Sequence, residues 1–380
     1  MGDVTHKSFM RQVQTNTADT GLLLERLRSE FPLDDLETLL VFVSPQDFEL
    51  DALGEGLYEI FGDRVVGCTS AGQFGKEGYQ LKGLMAIGFY GSWYIRPCLV
   101  SSLKEHNDQF VTMVNEVETY LEEMPEQMTP FGVILVDGLS MQEERLMAHL
   151  YKSLVKMPIV GGSAGDALNF DQTSVLYQGR FVSNAALFLV CGTTRCLSMI
   201  HAQHHIPTDV KLVVTEADPE RRRVIEINGY PAARAYSEAI NVSEEALCPT
   251  VFSQHPLTLN LGNGSYIRSI QSKNEDGSLS FYCAVERGIV LSLARPVNPI
   301  EVIDEAFKKA KLELGSSPEW VLGFDCILRR LEYEACDLKS AMEANFKINR
   351  VSGFFTYGEQ IDGLHVNQTF TGIAFGEERG

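Results

Sequence analysis

The chain has 380 residues, of which 44% are hydrophobic and 22% charged, and it carries a net charge of −19. This is the balance of a folded globular protein long enough for two domains. The acidic surplus argues against nucleic acid, whose phosphates need Lys and Arg. No apolar stretch is long enough to span a bilayer. The eight scattered cysteines contain no C-x-x-C pair, which excludes a zinc ribbon, a thioredoxin-type motif and covalent C-x-x-C-H haem attachment.

From the N-terminus, Met1 to Thr20 is polar and has no apolar leader, so the reading is cytoplasmic with reduced, mostly buried thiols. Leu39 to Ser44 is an apolar, β-branched run that predicts a strand. A helix is expected from about Gln46 to Phe61, then Val65-Val66-Gly67-Cys68-Thr69-Ser70-Ala71-Gly72, then a strand from Leu84 to Tyr90. The order recurs with a strand at Val133 to Val136, a helix from Met141 to Lys156, the turn Gly161-Gly162-Ser163-Ala164-Gly165 and a strand from Ala185 to Val190. Leu39 to Gly67 and Val133 to Gly161 are equal steps along the chain. A further copy has a strand at Trp320 to Phe324, a helix at Leu338 to Phe346, the segment Val351 to Gly358 and a strand at Thr369 to Phe375.

The step from Gly161 to Gly353 is about twice that from Gly67 to Gly161. That predicts a degenerate copy midway, with a strand at Val224 to Ile227, a helix at Ala232 to Ile240, and Phe252-Ser253-Gln254-His255-Pro256 in place of the glycine turn. The expected fold is α/β: two related domains, 1–195 and 196–380, each from repeated strand–helix–Gly-turn–strand units forming mixed sheets covered by helices. The glycines serve either positive φ or close backbone approach. Ligands of open α/β sheets gather beyond the carboxyl ends of strands, which brings Ser44, Asp137, Ser140 and Asp325 near any pocket.

Gly161 to Gly165 spells G-x-S-x-G, but poor helix material follows Ser163, so a structural turn is preferred to a hydrolase nucleophile. Ser140 to Glu143 has the form of a helix capping box. Asp137, at a strand end, is either structural or a ligand contact. Arg221-Arg222-Arg223 reads as a solvated hairpin turn. His201, His204 and His205 are polar strand histidines or a metal cluster that lacks a nearby Cys or carboxylate. His255, held extended by Pro256, and His365 can each offer an imidazole to haem iron. Arg268 and the pair Arg329-Arg330 can fork carboxylates, including haem propionates.

At these residues the sequence resembles the FIST family of bacterial signal-input proteins. VVGCTSAGQF, VDGLSMQEERL and PIVGGSAGDALNFDQTSV look like its N-terminal part. VIEINGYPAARAYSEAI, FSQHPL, GSYIRSI, VLGFDCILRRLE and GFFTYGEQ look like its C-terminal part. The HPL, GFDCILRRLE and FTYGEQ strings are similar to the nitric-oxide-sensing branch called NosP. The resemblance implies non-enzymatic sensing with non-covalent haem b. His255 is the first choice of axial ligand, with His205, His201 and His365 behind it and Arg268 as a further haem contact. It also implies nitric oxide as signal, a partner histidine kinase, and output to two-component and cyclic-di-GMP control of biofilm, with room for a homodimer. Other members sense amino acids or similar metabolites, for which Asp137, Ser140 and Arg268 would line the pocket.

Overall fold

A computed structural model describes residues 9–105, 108–154, 157–261 and 264–379. The polar stretch Met1 to Thr20 lies partly outside them, as does the end of the helix expected up to Lys156. The fold is mixed α/β, and its sheets combine parallel and antiparallel pairs.

Each of the three repeats with a clear signal forms its unit. In the first, Leu36–Val43 pairs in parallel with Val65–Thr69 across the helix Leu50–Phe61, and Leu84–Tyr90 returns antiparallel. The second uses Thr129–Val136, the helix Glu143–Ser153, Ile159–Ser163 and Ala186–Thr193. The third uses Trp320–Cys326, the helices Ile327–Ala335 and Lys339–Ile348, Val351–Thr356 and Phe370–Glu378. Met10–Thr15, Trp93–Val100 and Arg195–Ala202 are the matching edge strands.

After its second parallel strand each unit sends out a hairpin, and none of the three hairpins joins its own sheet. Gln73–Gly75 pairs with Val351–Thr356 of the third unit. Val175–Tyr177 pairs with Val65–Thr69 of the first, and Glu359–Ile361 with Ile159–Ser163 of the second. The result is three six-stranded sheets of identical order around a pseudo-threefold axis. Their inner faces meet in one core that draws Phe42, Trp93, Phe131, Trp320 and Phe375 from all three units. Trp320 and Phe375 stack there with centroids 5.4 Å apart and planes 10° from parallel. Helices cover the outer faces: Leu53, Leu57 and Phe61 pack on Leu39, Val41 and Val43, for example. Burial on both faces is why Leu39 to Val43, within the strand Leu36–Val43, reads as an unbroken apolar run rather than an alternating one.

At the carboxyl ends of the parallel strands the three units are tied into a closed ring. Ala71 N–H donates to Phe355 O (3.0 Å), Tyr357 N–H to Ser163 O (3.0 Å) and Gly165 N–H to Thr69 O (3.2 Å). The first glycine of each turn follows from close approach rather than positive φ, whereas Gly72 in the first turn takes a φ of +110°. A Cβ on Gly67, Gly161 or Gly353 would land on the carbonyl oxygen of Val41, Ile134 or Gly323 in the neighbouring parallel strand.

The degenerate midway copy is not there. Between Ala202 and Pro299 the chain builds a separate antiparallel sheet around His205–Asp218 and Val290–Pro296. It has its own core of Leu212, Tyr236, Phe252, Leu257 and Leu291. His255-Pro256 ends the short helix Pro249–Gln254 and leads into the strand Leu257–Leu261. The doubled spacing reflects this insertion, which happens to be about as long as a unit. The histidine run does not lie on one strand. Arg195–Ala202 belongs to the third unit, and the next strand, His205–Asp218, runs straight through Pro207.

Candidate functional site

The inserted sheet sits against the second and third units through a buried polar layer, and Arg222 is its hinge-pin. The arginine run expected to be solvated is only partly so. Arg222 is 4% exposed, and its Nη2 reaches Glu143 Oε2 (2.6 Å) and Glu144 Oε2 (2.5 Å) at the start of the helix Glu143–Ser153. Its Nη1 donates to Tyr282 O (2.6 Å), and Ala284 N–H donates to Glu144 Oε1 (2.8 Å). The capping box is therefore not formed. Glu143 turns to Arg222, while Ser140 Oγ accepts from Gln142 N–H (3.3 Å).

Ser163 Oγ donates to Glu143 Oε1 (3.3 Å) and accepts from Gln360 Nε2 (2.9 Å). No helix follows it: Ile159–Ser163 runs into a loop, and the serine is fully buried. The context a nucleophile elbow needs is missing. Gln360 Nε2 also donates to His365 Nδ1 (3.2 Å), which leaves His365 Nε2–H to donate to Tyr282 O (3.4 Å). Gln360 Oε1, Tyr282 OH and both polar atoms of Asn367 are buried with no partner within the protein, and Asn367 Nδ2 lies with the His365 ring at Gly358. Unpaired buried polar atoms are costly, so such a cluster is completed by water or by a ligand.

A second buried chain runs from Asp325 through the helix Ile327–Ala335. Arg329 Nε donates to Asp325 Oδ1 (2.6 Å) and its Nη1 to His204 Nδ1 (2.8 Å). Because a guanidinium only donates, the ring proton of His204 sits on Nε2 and is given to Glu332 Oε2 (2.8 Å). His205 Nε2 lies 3.5 Å from the same oxygen. Burial, with Arg329 adding to it, holds His204 well below the usual imidazole range. Burial, with His204 adding to it, pushes His205 down to about 3. The carboxylate missing from the histidine run is thus Glu332, brought from far along the chain.

The other expected site residues are dispersed. Asp137 Oδ1 accepts from Leu139 N–H (3.0 Å) and from the Thr173 hydroxyl, and Oδ2 accepts from Asn184 N–H, so the carboxylate shapes its own turn. Burial is the main influence on it and raises its pKa. Arg268 lies across the junction on the strand Gly264–Arg268, where it interacts with Cys283. Ser44 Oγ is taken up with Gln73 and Leu81 O.

As a fit for haem, the four imidazoles differ. His365 has both ring nitrogens engaged, and His205 is fully buried with its ring centroid 4.1 Å from that of His204. His255 is half-buried at the end of its helix, near Glu332 and His205. His201 is exposed and lines a cleft of about 370 Å³ with Met199, Tyr266, Lys309, Leu364 and Val366. The accessible imidazole and the Lys309 amine suit a haem iron and one propionate, whereas the Asp362 carboxylate in the same lining opposes an anionic group.

Sequence reasoning missed Glu332, Arg222, Gln360, Asn367 and Tyr282. A signal for Glu332 was present: Arg329 and Glu332 are spaced three apart, to share one face of the helix Ile327–Ala335.

Among the described residues no helix is long and apolar enough to cross a membrane. The chain is 24% identical over 357 residues to an uncharacterised protein of Methanocaldococcus jannaschii, covering 82% of this chain and 68% of that protein. The FIST N domain matches residues 37–230, so it runs through the first two units and into the inserted sheet. The FIST C domain matches residues 232–362, from the rest of that sheet into the exchanged hairpin of the third unit. With both domains in order along most of its length, the chain belongs to the FIST family of small-molecule sensing and signalling proteins.

Proposed function

We propose that the chain is a non-enzymatic sensor of a small polar metabolite, an amino acid or a molecule of like chemistry, bound where the inserted sheet meets the threefold core. The observation that carries this is Asn367: its carbonyl and its amide are both buried and unpaired, and its amide lies at Gly358 with His365, the ring that Gln360 Nε2 and Tyr282 O engage. The unpaired atoms of Asn367 and Gln360 offer two acceptors and a donor, which match an ammonium and a carboxylate on one small molecule. Tyr282 belongs to the inserted segment and Gln360 and Asn367 to the third unit. A ligand joining them would favour one seating of the insertion over others, which is the differential affinity a sensor needs. Thermal shift against a panel of amino acids tests this. A ligand should raise Tm in the wild type, and the rise should vanish in folded Asn367→Ala. A panel with no effect, or a shift that survives Asn367→Ala, would sink the assignment.

A second reading is favoured by the His201 cleft: a non-covalent haem b site for nitric oxide. Haem would supply iron for the gas to bind. The chain would supply the His201 imidazole, apolar walls from Met199, Leu364 and Val366, and the Lys309 ammonium for a propionate. In either reading a histidine kinase receives the signal, with output to two-component and cyclic-di-GMP control of biofilm, and an acidic surface suits a basic patch on that partner. Haemin reconstitution followed by nitric oxide decides the second reading. It requires a Soret band that shifts with the gas and is altered in His201→Ala. Loss in His255→Ala instead would move the axial ligand there, and no band at all would end the haem reading.

A further inference from the structure

We propose that His204, His205 and Glu332 form a site for one divalent transition-metal ion of the zinc class, held between the inserted sheet and the helix Ile327–Ala335. The three ligand atoms lie within 4.8 Å of one another and all three residues are buried. Two imidazoles and one carboxylate form a donor set that zinc takes readily, and first-row ions other than zinc bind the same set. The independent sign of a ligand is His205. Its side chain is fully buried, yet neither ring nitrogen has a hydrogen-bond partner. A buried imidazole is otherwise expected to use both nitrogens. One of them, Nε2, is 3.5 Å from Glu332 Oε2, a separation that suits two ligands on one small ion rather than a hydrogen bond.

His204 needs a rearrangement, and the structure supplies the means. Its Nε2–H points at Glu332, while Arg329 donates to Nδ1. Metal binding requires the lone pair on Nε2, so the ring proton must move from Nε2 to Nδ1, and Arg329 must withdraw from Nδ1. The guanidinium has somewhere to go. Asp325 Oδ2 and Arg329 Nη2 are both buried and unpaired, while Nε already holds Asp325 Oδ1. Closing that second contact makes the fork bidentate. The ion therefore replaces one shared proton, and Arg329 exchanges a histidine for a carboxylate oxygen. The ring keeps its single proton throughout, and the imidazole stays neutral as a metal ligand must. The cluster supplies three ligand atoms, so the fourth position of a tetrahedral ion falls to water.

The site spans the same junction as the proposed metabolite contacts but shares no residue with them, so the two stand or fall separately. The experiment uses the full chain, stripped by chelator and titrated with zinc by calorimetry, with cobalt as a spectroscopic substitute. One ion per chain is expected, and binding at least about tenfold weaker in His205→Gln and in Glu332→Gln. X-ray absorption of the wild-type zinc complex should show two or more imidazoles. That last measurement does not depend on the variants folding. No zinc binding by the wild type, equal binding by folded variants, or a shell without imidazole would overturn the proposal.

Discussion

Glu359 shows how far burial alone can move a group. It is fully buried. Its Oε2 accepts from Thr369 N–H (3.1 Å) and Oγ (2.7 Å), its Oε1 accepts from the Thr356 hydroxyl, and burial still pushes it up to about 8. An unfolded glutamate releases its proton near about 4.3. Between these values the unfolded chain binds fewer protons, so stability falls as pH rises through the window. His204 and His205 act in the opposite sense, because their depressed values make the folded state lose stability as pH falls below about 6.5. The interval from about 6.5 to 8 isolates Glu359. Denaturation of Glu359→Gln should show that interval flattened, with an advantage over wild type of at least about 1 kcal/mol above pH 8 and little below pH 5. An unchanged slope between pH 6.5 and 8 would mean that the carboxylate is not held neutral. Arg222 makes a different point. Removing it leaves Glu143 buried and Glu144 half-buried without that cation, so Arg222→Ala should cost about 3–5 kcal/mol. Were the run solvated, as its composition suggests, the loss would be near zero.

At the scale of elements, the repeat was legible because its causes are local. Apolar runs of β-branched residues mark strands buried on both faces, and the glycine before each turn marks where parallel strands close on each other. The helix Ala232–Ile240 was also legible, with Pro231 at its start and Asn241 in the left-handed conformation at its end. What failed was arithmetic without contact. Equal spacing along the chain cannot tell a fourth copy from an insertion that carries its own core. The capping box failed for a related reason, since Glu143 had a stronger partner in Arg222, a distant residue that no local pattern reveals. Much of the site was hidden in the same way, because Glu332 and His205, or Gln360 and Tyr282, become neighbours only when the insertion is seated. The glycine argument yields a sharp test. Gly161→Ala should destabilise by about 1–3 kcal/mol or more, because the methyl meets Ile134 O and the strand pair has to part. Gly376→Ala, where a Cβ finds only ordinary contacts with Leu314 and Cys196, should stay within about 0.5 kcal/mol. Equal losses at the two positions in chemical denaturation would refute close approach as the reason for the repeated glycine.

At the scale of the whole molecule, the exchanged hairpins decide what folds with what. The N-terminal half up to residue 195 contains two complete units, yet its second sheet lacks the strands Glu359–Ile361 and Leu364–Val366. Its own hairpin, Gln73–Gly75 with Gly78–Gln80, would find no Val351–Thr356 to pair with. The fragment would also expose the inner faces that Trp320, Phe354 and Phe375 cover, together with a bare edge at Ile159–Ser163, a combination that invites aggregation. The inserted sheet is different, since it starts and ends beside one point on the third unit and carries a separate core. A chain in which a short Gly/Ser linker replaces the residues between Gln203 and Asn298 should therefore keep a cooperatively unfolding threefold core, losing some stability as Glu143, Glu144 and Glu332 are left without Arg222 and the histidines. A fragment ending at residue 195 should fail to give a soluble, cooperatively melting species. Circular dichroism melts and gel filtration of the two products test this directly. A well-folded 1–195 fragment would show that hairpin exchange adds to a domain already stable by itself. An unfolded linker product would show that the inserted sheet is part of the core's own folding unit, which would also make ligand-driven movement of that sheet harder to sustain.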